Sequence, residues 1–188
     1  MVSGWDLVKV KLLIQPIGFS DRGLLYWLGE ELKQRFPVPL DVKISLWSTS
    51  LDYFEAFNWG RMQFRAVEVN MFLRELYKGF VKPRENLVLG LVAGDGYVEG
   101  LNFVFGLATP ELSIATVYTF RLESRDYNVY QLRVLKEVIH EVGHLLGLEH
   151  CSDRRCVMSF SNSVLDVDFK EPAFCQLCRS KLKRLLRV

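Results

Sequence analysis

The chain has 188 residues, 49% hydrophobic and 24% charged, with 24 Lys and Arg against 22 Asp and Glu. That length supports one well-buried core and not two ordinary domains, and the composition excludes disorder and fibrous structure. A formal charge of +2 is too small a field to single out nucleic acid as a partner, and no run of about 18 apolar residues is present to span a membrane.

The opening MVSGWDLVKVKLLIQPIG has neither the basic n-region nor the apolar h-region of a signal peptide, so a cytoplasmic protein is expected. Leu7 to Ile14 predicts a strand, and Gly18, Ser20 and Asp21 supply turn and cap chemistry for a helix from Arg22 to Phe36, where Leu24, Leu25, Leu28 and Leu32 recur at helical spacing. Pro37 and Pro39 end it, and Leu40 to Trp47 resumes as strand. Beyond an aromatic-rich loop, Val67, Met71, Leu76 and Phe80 predict a second helix. Leu87 to Val92 then predicts a short buried strand closing on Gly94-Asp95-Gly96. Two further strands are predicted at Leu101 to Leu107 and Ser113 to Phe120, joined through Pro110, before a long helix from about Asn128 to Leu146. After Gly147 strand patterning fades and all four cysteines appear, as expected of a small irregular lobe that needs a staple. The closing RSKLKRLLRV places Leu182, Leu185 and Leu186 on one helical face, with basic residues turned to water.

The long helix ends in HEVGHLLGLEH. His140 and His144 are four residues apart, so they share a helix face and reach one metal, while Glu141 points elsewhere and is placed to take a proton from a metal-bound water. A straight helix would carry His150 about 15 Å along the axis from His140. Gly147 is therefore expected to break the helix in a positive-φ conformation and bring His150 back as third ligand. Three neutral imidazoles leave zinc's charge uncancelled and the fourth position open to water. Scattered core histidines would produce HExxHxxGxxH by chance about once in 10⁵ chains of this length, and the chain's three histidines are all in the motif.

The motif marks metzincin peptidases, and similarity to them assigns Met158, eight residues past His150, to the methionine turn beneath the metal. Cys151 and Cys156 are paired by short spacing, as are Cys175 and Cys178, which suits a closed structural Cys₄ zinc site with Arg154, Arg155 and Arg179 nearby to offset its charge. Two disulfides, or a redox-active CxxC, are the competing explanations of the same spacing.

Taken together, HEVGHLLGLEH-C-x4-C-x-M and the later CQLC resemble the archaemetzincins (archaelysins). The resemblance implies an α+β, α/β-like fold: a metzincin-type twisted, mixed five-stranded sheet with an antiparallel edge strand, backing helices, an active-site helix, and a small irregular zinc-stapled C-terminal subdomain. It implies one domain over 1–188, upper part about 1–147 and lower part about 148–188, with two zinc ions, one catalytic and one structural. Metzincins align an extended substrate along an edge strand, for which Gly106, Leu107 and Ala108 are the candidates, although a buried strand end explains them equally well. Phe160 and Val164 are assigned to the specificity-pocket wall, or else to lower-lobe core. Two metzincin branches carry a tyrosine two residues past the Met-turn methionine, where this chain has Phe160.

The expected function is peptide-bond hydrolysis by zinc-bound water, with Glu141 as general base and then acid. The partner is a peptide or protein substrate, and the protein is a monomer. The alternative is a catalytically quiet zinc-dependent peptide-binding module, against which the retained Glu141 argues. Because Cys151 follows His150 directly, the two metal sites are expected to be coupled.

Overall fold

A computed structural model describes residues 10–49 and 56–187; residues 7–9 of the predicted first strand lie outside that range. The elements in order are β1 (Val10–Ile17), α1 (Arg22–Arg35), β2 (Leu40–Ile44), β3 (Phe57–Asn58), β4 (Gln63–Arg65), α2 (Ala66–Leu76), β5 (Asn86–Val92), β6 (Gly96–Tyr97), β7 (Gly106–Thr109), β8 (Ile114–Tyr118), α3 (Tyr127–Leu145), α4 (Val164–Phe169) and α5 (Gln176–Leu185).

The main sheet has the order β2-β1-β5-β8-β7, parallel throughout except that β7 runs antiparallel to β8 at one edge. This is the mixed five-stranded sheet with an antiparallel edge strand that the sequence led us to expect. Its middle strands are covered on both faces, which is why β5 (NLVLGLV) and β8 (IATVY) read as nearly continuous apolar runs and not as alternating ones. Helices α1 and α3 cover one face over Leu12, Ile14, Leu89, Leu91 and Val117, and α2 covers the other over Val88, Val92, Ile114 and Tyr118.

Several boundaries move, each for a physical reason. Helix α1 starts at Arg22 as expected, capped by Asp21, whose carboxylate accepts from the Leu24 amide at 2.9 Å, and ends one residue early at Arg35. Strand β2 stops at Ile44, three residues short, because Leu46 and Trp47 turn out to solvent. The second helix has the right period and the wrong phase: Val67, Met71 and Leu76 are exposed, Phe80 lies past its end, and the buried face is Ala66, Val69, Asn70 and Leu73. The strand predicted over 101–107 is displaced to Gly106–Thr109. Residues 101–105 form a loop held by the Val104 amide on the Gly96 carbonyl (2.8 Å) and by the Arg61 guanidinium on the carbonyls of Leu101 and Asn102.

Strands β3, β4 and β6 make a second small sheet that the sequence reading did not anticipate. After Gly147 no strand occurs among the described residues. The segment is less irregular than expected, since α4 and α5 are both helical, α5 sealing Leu182 and Leu186 against the core as its leucine spacing predicted.

Candidate metal centre

Helix α3 runs beneath the sheet's edge, capped at its start by Asp126, which accepts from the Asn128 amide at 2.8 Å. At the other end Gly147 takes φ +96°, the left-handed conformation the sequence required of it, and the Leu148 amide turns back onto the Gly143 carbonyl at 3.0 Å. That reversal brings the His150 ring to 5.3 Å from His140 and 4.9 Å from His144, centroid to centroid. One ring nitrogen from each of the three histidines lies within 4.8 Å of the others.

The histidine hydrogen bonds fit a metal. His140 Nδ1 lies 2.8 Å from the Val157 carbonyl and His144 Nδ1 lies 2.7 Å from the Leu148 carbonyl. A carbonyl can only accept, so each Nδ1 carries the proton and each Nε2 presents a lone pair. Those two Nε2 atoms face each other at 3.0 Å. Two lone pairs at that distance repel unless a cation sits against both. Burial, joined by the charge of Lys170, pushes all three imidazoles below the usual histidine range, and the neutral form is the one a metal binds.

Met158 is wholly buried under the helix, where a Cβ on Gly143 would stand 2.5 Å from its sulfur. Thus the close approach of the methionine requires glycine at 143. The Cys151 amide donates to the Met158 carbonyl at 2.9 Å, tying this turn to the residue next to His150.

Glu141 is buried beside β7. The Tyr118 amide donates to the Phe105 carbonyl at 2.8 Å, and with Gly106 opposite Val117 and Ala108 opposite Ala115 the alternation of an antiparallel ladder turns the backbone groups of Gly106 and Ala108 away from β8. Gly106, Ala108 and Glu141 line the same cleft. Burial, reinforced by the charge of Glu137, pushes that carboxyl well above the usual carboxylate range, while Lys170 and the Ala108 amide act against the shift.

The histidines and Glu141 open onto a cleft of about 660 Å³, roofed by residues 101–108 and closed at one side by Phe160, whose ring lies 5.0 Å from that of His150. Of the sequence-predicted site residues, Gly106, Leu107, Ala108 and Phe160 line this cleft together with the histidines. Val164 sits at the start of α4, packed on the core, and is not among the lining residues.

Sequence reasoning missed Glu137 and Lys170. The Lys170 ammonium, 0% exposed, donates to the Glu137 carboxylate at 2.8 Å and to the Ser159 carbonyl at 3.2 Å. It joins α3 to the turn carrying Met158. One signal existed, since Glu137 precedes His140 and Glu141 by three and four residues and so lies about one helical turn from each.

The four cysteine sulfurs also lie within 4.8 Å of one another. Cys151 and Cys175 stand 3.8 Å apart, far beyond a disulfide bond and close to the edge of a tetrahedron with metal–sulfur bonds of about 2.3 Å. Amides of Cys175 and Cys178 point at the sulfurs of Cys156 (3.3 Å) and Cys175 (3.5 Å). For Cys175 such hydrogen bonds outweigh burial and hold the thiol below its usual range, whereas burial drives Cys156 up to about 11. Arg154 and Arg155 pair with Asp166 and Glu171 beside Phe169, with no hydrogen bond to a sulfur among the described residues.

A model of peptidase family M54 matches residues 33–184. An archaemetzincin of Aeropyrum pernix is 47% identical over 93% of each chain, and one of Saccharolobus solfataricus is 36% identical over 95% of this chain and 96% of its own. Among solved structures, the archaemetzincin of Methanopyrus kandleri is similar at a TM-score of 0.79 and 35% identity over 100% of both chains. That of Archaeoglobus fulgidus, complexed with malonate, gives 0.78 and 35% over 92% of this chain and 99% of its own.

Proposed function

The chain belongs to peptidase family M54, the archaemetzincins, and is a zinc metallopeptidase; from that premise we propose that it hydrolyses peptide bonds with His140, His144 and His150 holding the catalytic zinc and Glu141 serving first as general base and then as general acid. The observation that carries this reading is the pair of Nε2 lone pairs facing each other at 3.0 Å beside a buried carboxyl. Zinc, when bound, supplies a Lewis acid that polarises the scissile carbonyl and acidifies water. Glu141 accepts the proton of the attacking water and passes it to the leaving amine. The outward backbone groups of Gly106 and Ala108, with Leu107 between them, align an extended peptide by strand addition, and Phe160 forms one wall of the cleft. With no hydroxyl at Phe160, that residue adds nothing to oxyanion stabilisation.

The same reading assigns Cys151, Cys156, Cys175 and Cys178 to a second, structural zinc, giving two ions per chain. It treats 1–188 as one domain whose parts, about 1–147 and 148–188, face each other across the cleft. It also assigns a monomer working in the cytoplasm, where thiols stay reduced and available to metal.

The test is incubation of wild type and Glu141→Ala with a broad peptide library, read by mass spectrometry, with zinc content measured on both. Wild type should cleave, and Glu141→Ala should keep its zinc while losing about 10²–10⁴-fold in rate. Peptide binding without cleavage by wild type would return the quiet binding module in its place.

A further inference from the structure

A strand that aligns a substrate needs its backbone, not a particular side chain, so the glycine at 106 calls for a separate explanation. No turn demands it: the positive-φ glycines among the described residues are Gly18, Gly100 and Gly147, and Gly106 is ordinary strand. What surrounds its missing side chain is Glu141. A Cβ on Gly106 would lie 2.6 Å from both Cγ and Cδ of Glu141 and closer still to Oε1, distances that real Cβ atoms essentially never show.

The strand cannot retreat to make room. Behind it Asn70, buried on α2, donates from Nδ2 to the Leu107 carbonyl at 3.0 Å and to Thr109 Oγ1 at 2.9 Å, and its Oδ1 accepts from Thr116 on β8 at 2.9 Å. Resting on the reading of Glu141 as the proton acceptor, we propose that Gly106 is a positioning group for that base through the space its absent side chain leaves. The edge strand thus does two jobs, holding the base on its α3 side and offering its free edge to the substrate.

Gly106→Ala tests this directly, since alanine suits a strand and the side chain free to move is that of Glu141. On a quenched-fluorescent peptide that wild type cleaves, kcat should fall about 10²-fold, the scale of an ångström's misplacement of a catalytic group. KM should stay within about two-fold, the mark of an interaction made in the transition state, with zinc content and melting temperature preserved. In a Glu141→Asp background the shorter carboxylate leaves room for the methyl, so adding Gly106→Ala should cost less than about three-fold; a loss shared equally by both backgrounds would mean no coupling. A crystal structure of Gly106→Ala should show the Glu141 carboxyl swung away from position 106. An unmoved carboxyl, a kcat within about three-fold of wild type, or equal losses in the two backgrounds would overturn the proposal. Should wild type cleave nothing, the hydrolytic reading fails, and the position of the Glu141 carboxyl in that crystal structure still decides the role of Gly106.

Discussion

The sheet and the segment after Gly147 share one core but lean on it to different degrees. In the sheet, side chains such as Leu87, Leu89, Leu91 and Ile114 are wholly buried between two helical layers, each worth about 1.5–3 kcal/mol, so stability is spread over many replaceable contacts. After Gly147, Val157, Val167, Phe174 and Leu182 reach the same core, but order also depends on a few single anchors: four thiols around one point, the Lys170 ammonium, and a methionine fitted against a glycine. Distributed apolar burial degrades gradually when perturbed, whereas concentrated polar anchoring fails at a single atom. The histidines stand at the seam, His140 and His144 on the sheet's helix and His150 in the anchored segment.

The largest contrast should appear on chelation. Hydrogen exchange should show amides of 148–187 losing protection, up to the order of 10 kcal/mol associated with structural zinc, while β1 and β5 keep theirs. The selective version is Cys175→Ser, expected to weaken zinc at the histidines by about 10–100-fold through the adjacency of Cys151 and His150. Retention of both that zinc and hydrolysis in the variant would disprove the coupling.

Next in size is the buried pair. Lys170→Met leaves the Glu137 carboxylate buried without its partner, and urea unfolding should register a loss of about 3–5 kcal/mol. Lys170→Met with Glu137→Leu, which removes both charges, should recover most of it. A single variant within about 1 kcal/mol of wild type would show that the anchor is not needed.

The smallest effect belongs to an exposed link between the two regions. Arg133 on α3 grips Asp168 on α4 through two hydrogen bonds at 2.7 Å, and those bonds hold the Asp168 carboxyl below its usual range. A carboxyl depressed in the folded state adds stability that is present above its unfolded value and disappears as pH falls through its native one. Arg133→Gln should therefore flatten the acid limb of a melting-temperature profile, by no more than about 1 kcal/mol because the pair faces solvent. An acid limb unchanged by the substitution would remove Asp168 from the account.

How legible each part was follows from how local its cause is. HEVGHLLGLEH could be read outright, including the positive φ of Gly147, because one helical turn and one break fix all three imidazoles. The strand runs of β5 and β8 were equally plain. The phase of α2 was hidden because its buried face contains Asn70, a polar residue made compatible with burial only by partners 37 to 46 residues away. Lys170 and Glu137 are 33 residues apart, and no pattern in either segment announces their meeting. Helix α4 was a different kind of miss: Ser163 and Asp166 form a capping box that was present in the sequence and passed over.

Strand β7 has only four residues, and an open sheet edge is ordinarily a hazard because it invites pairing with any stray chain. Here the exposed length is brief, and it forms the roof of the histidine cleft, with Phe160 at one side. An edge of four residues offers a stray chain few backbone groups to pair with, so brevity itself guards the opening that the cleft requires.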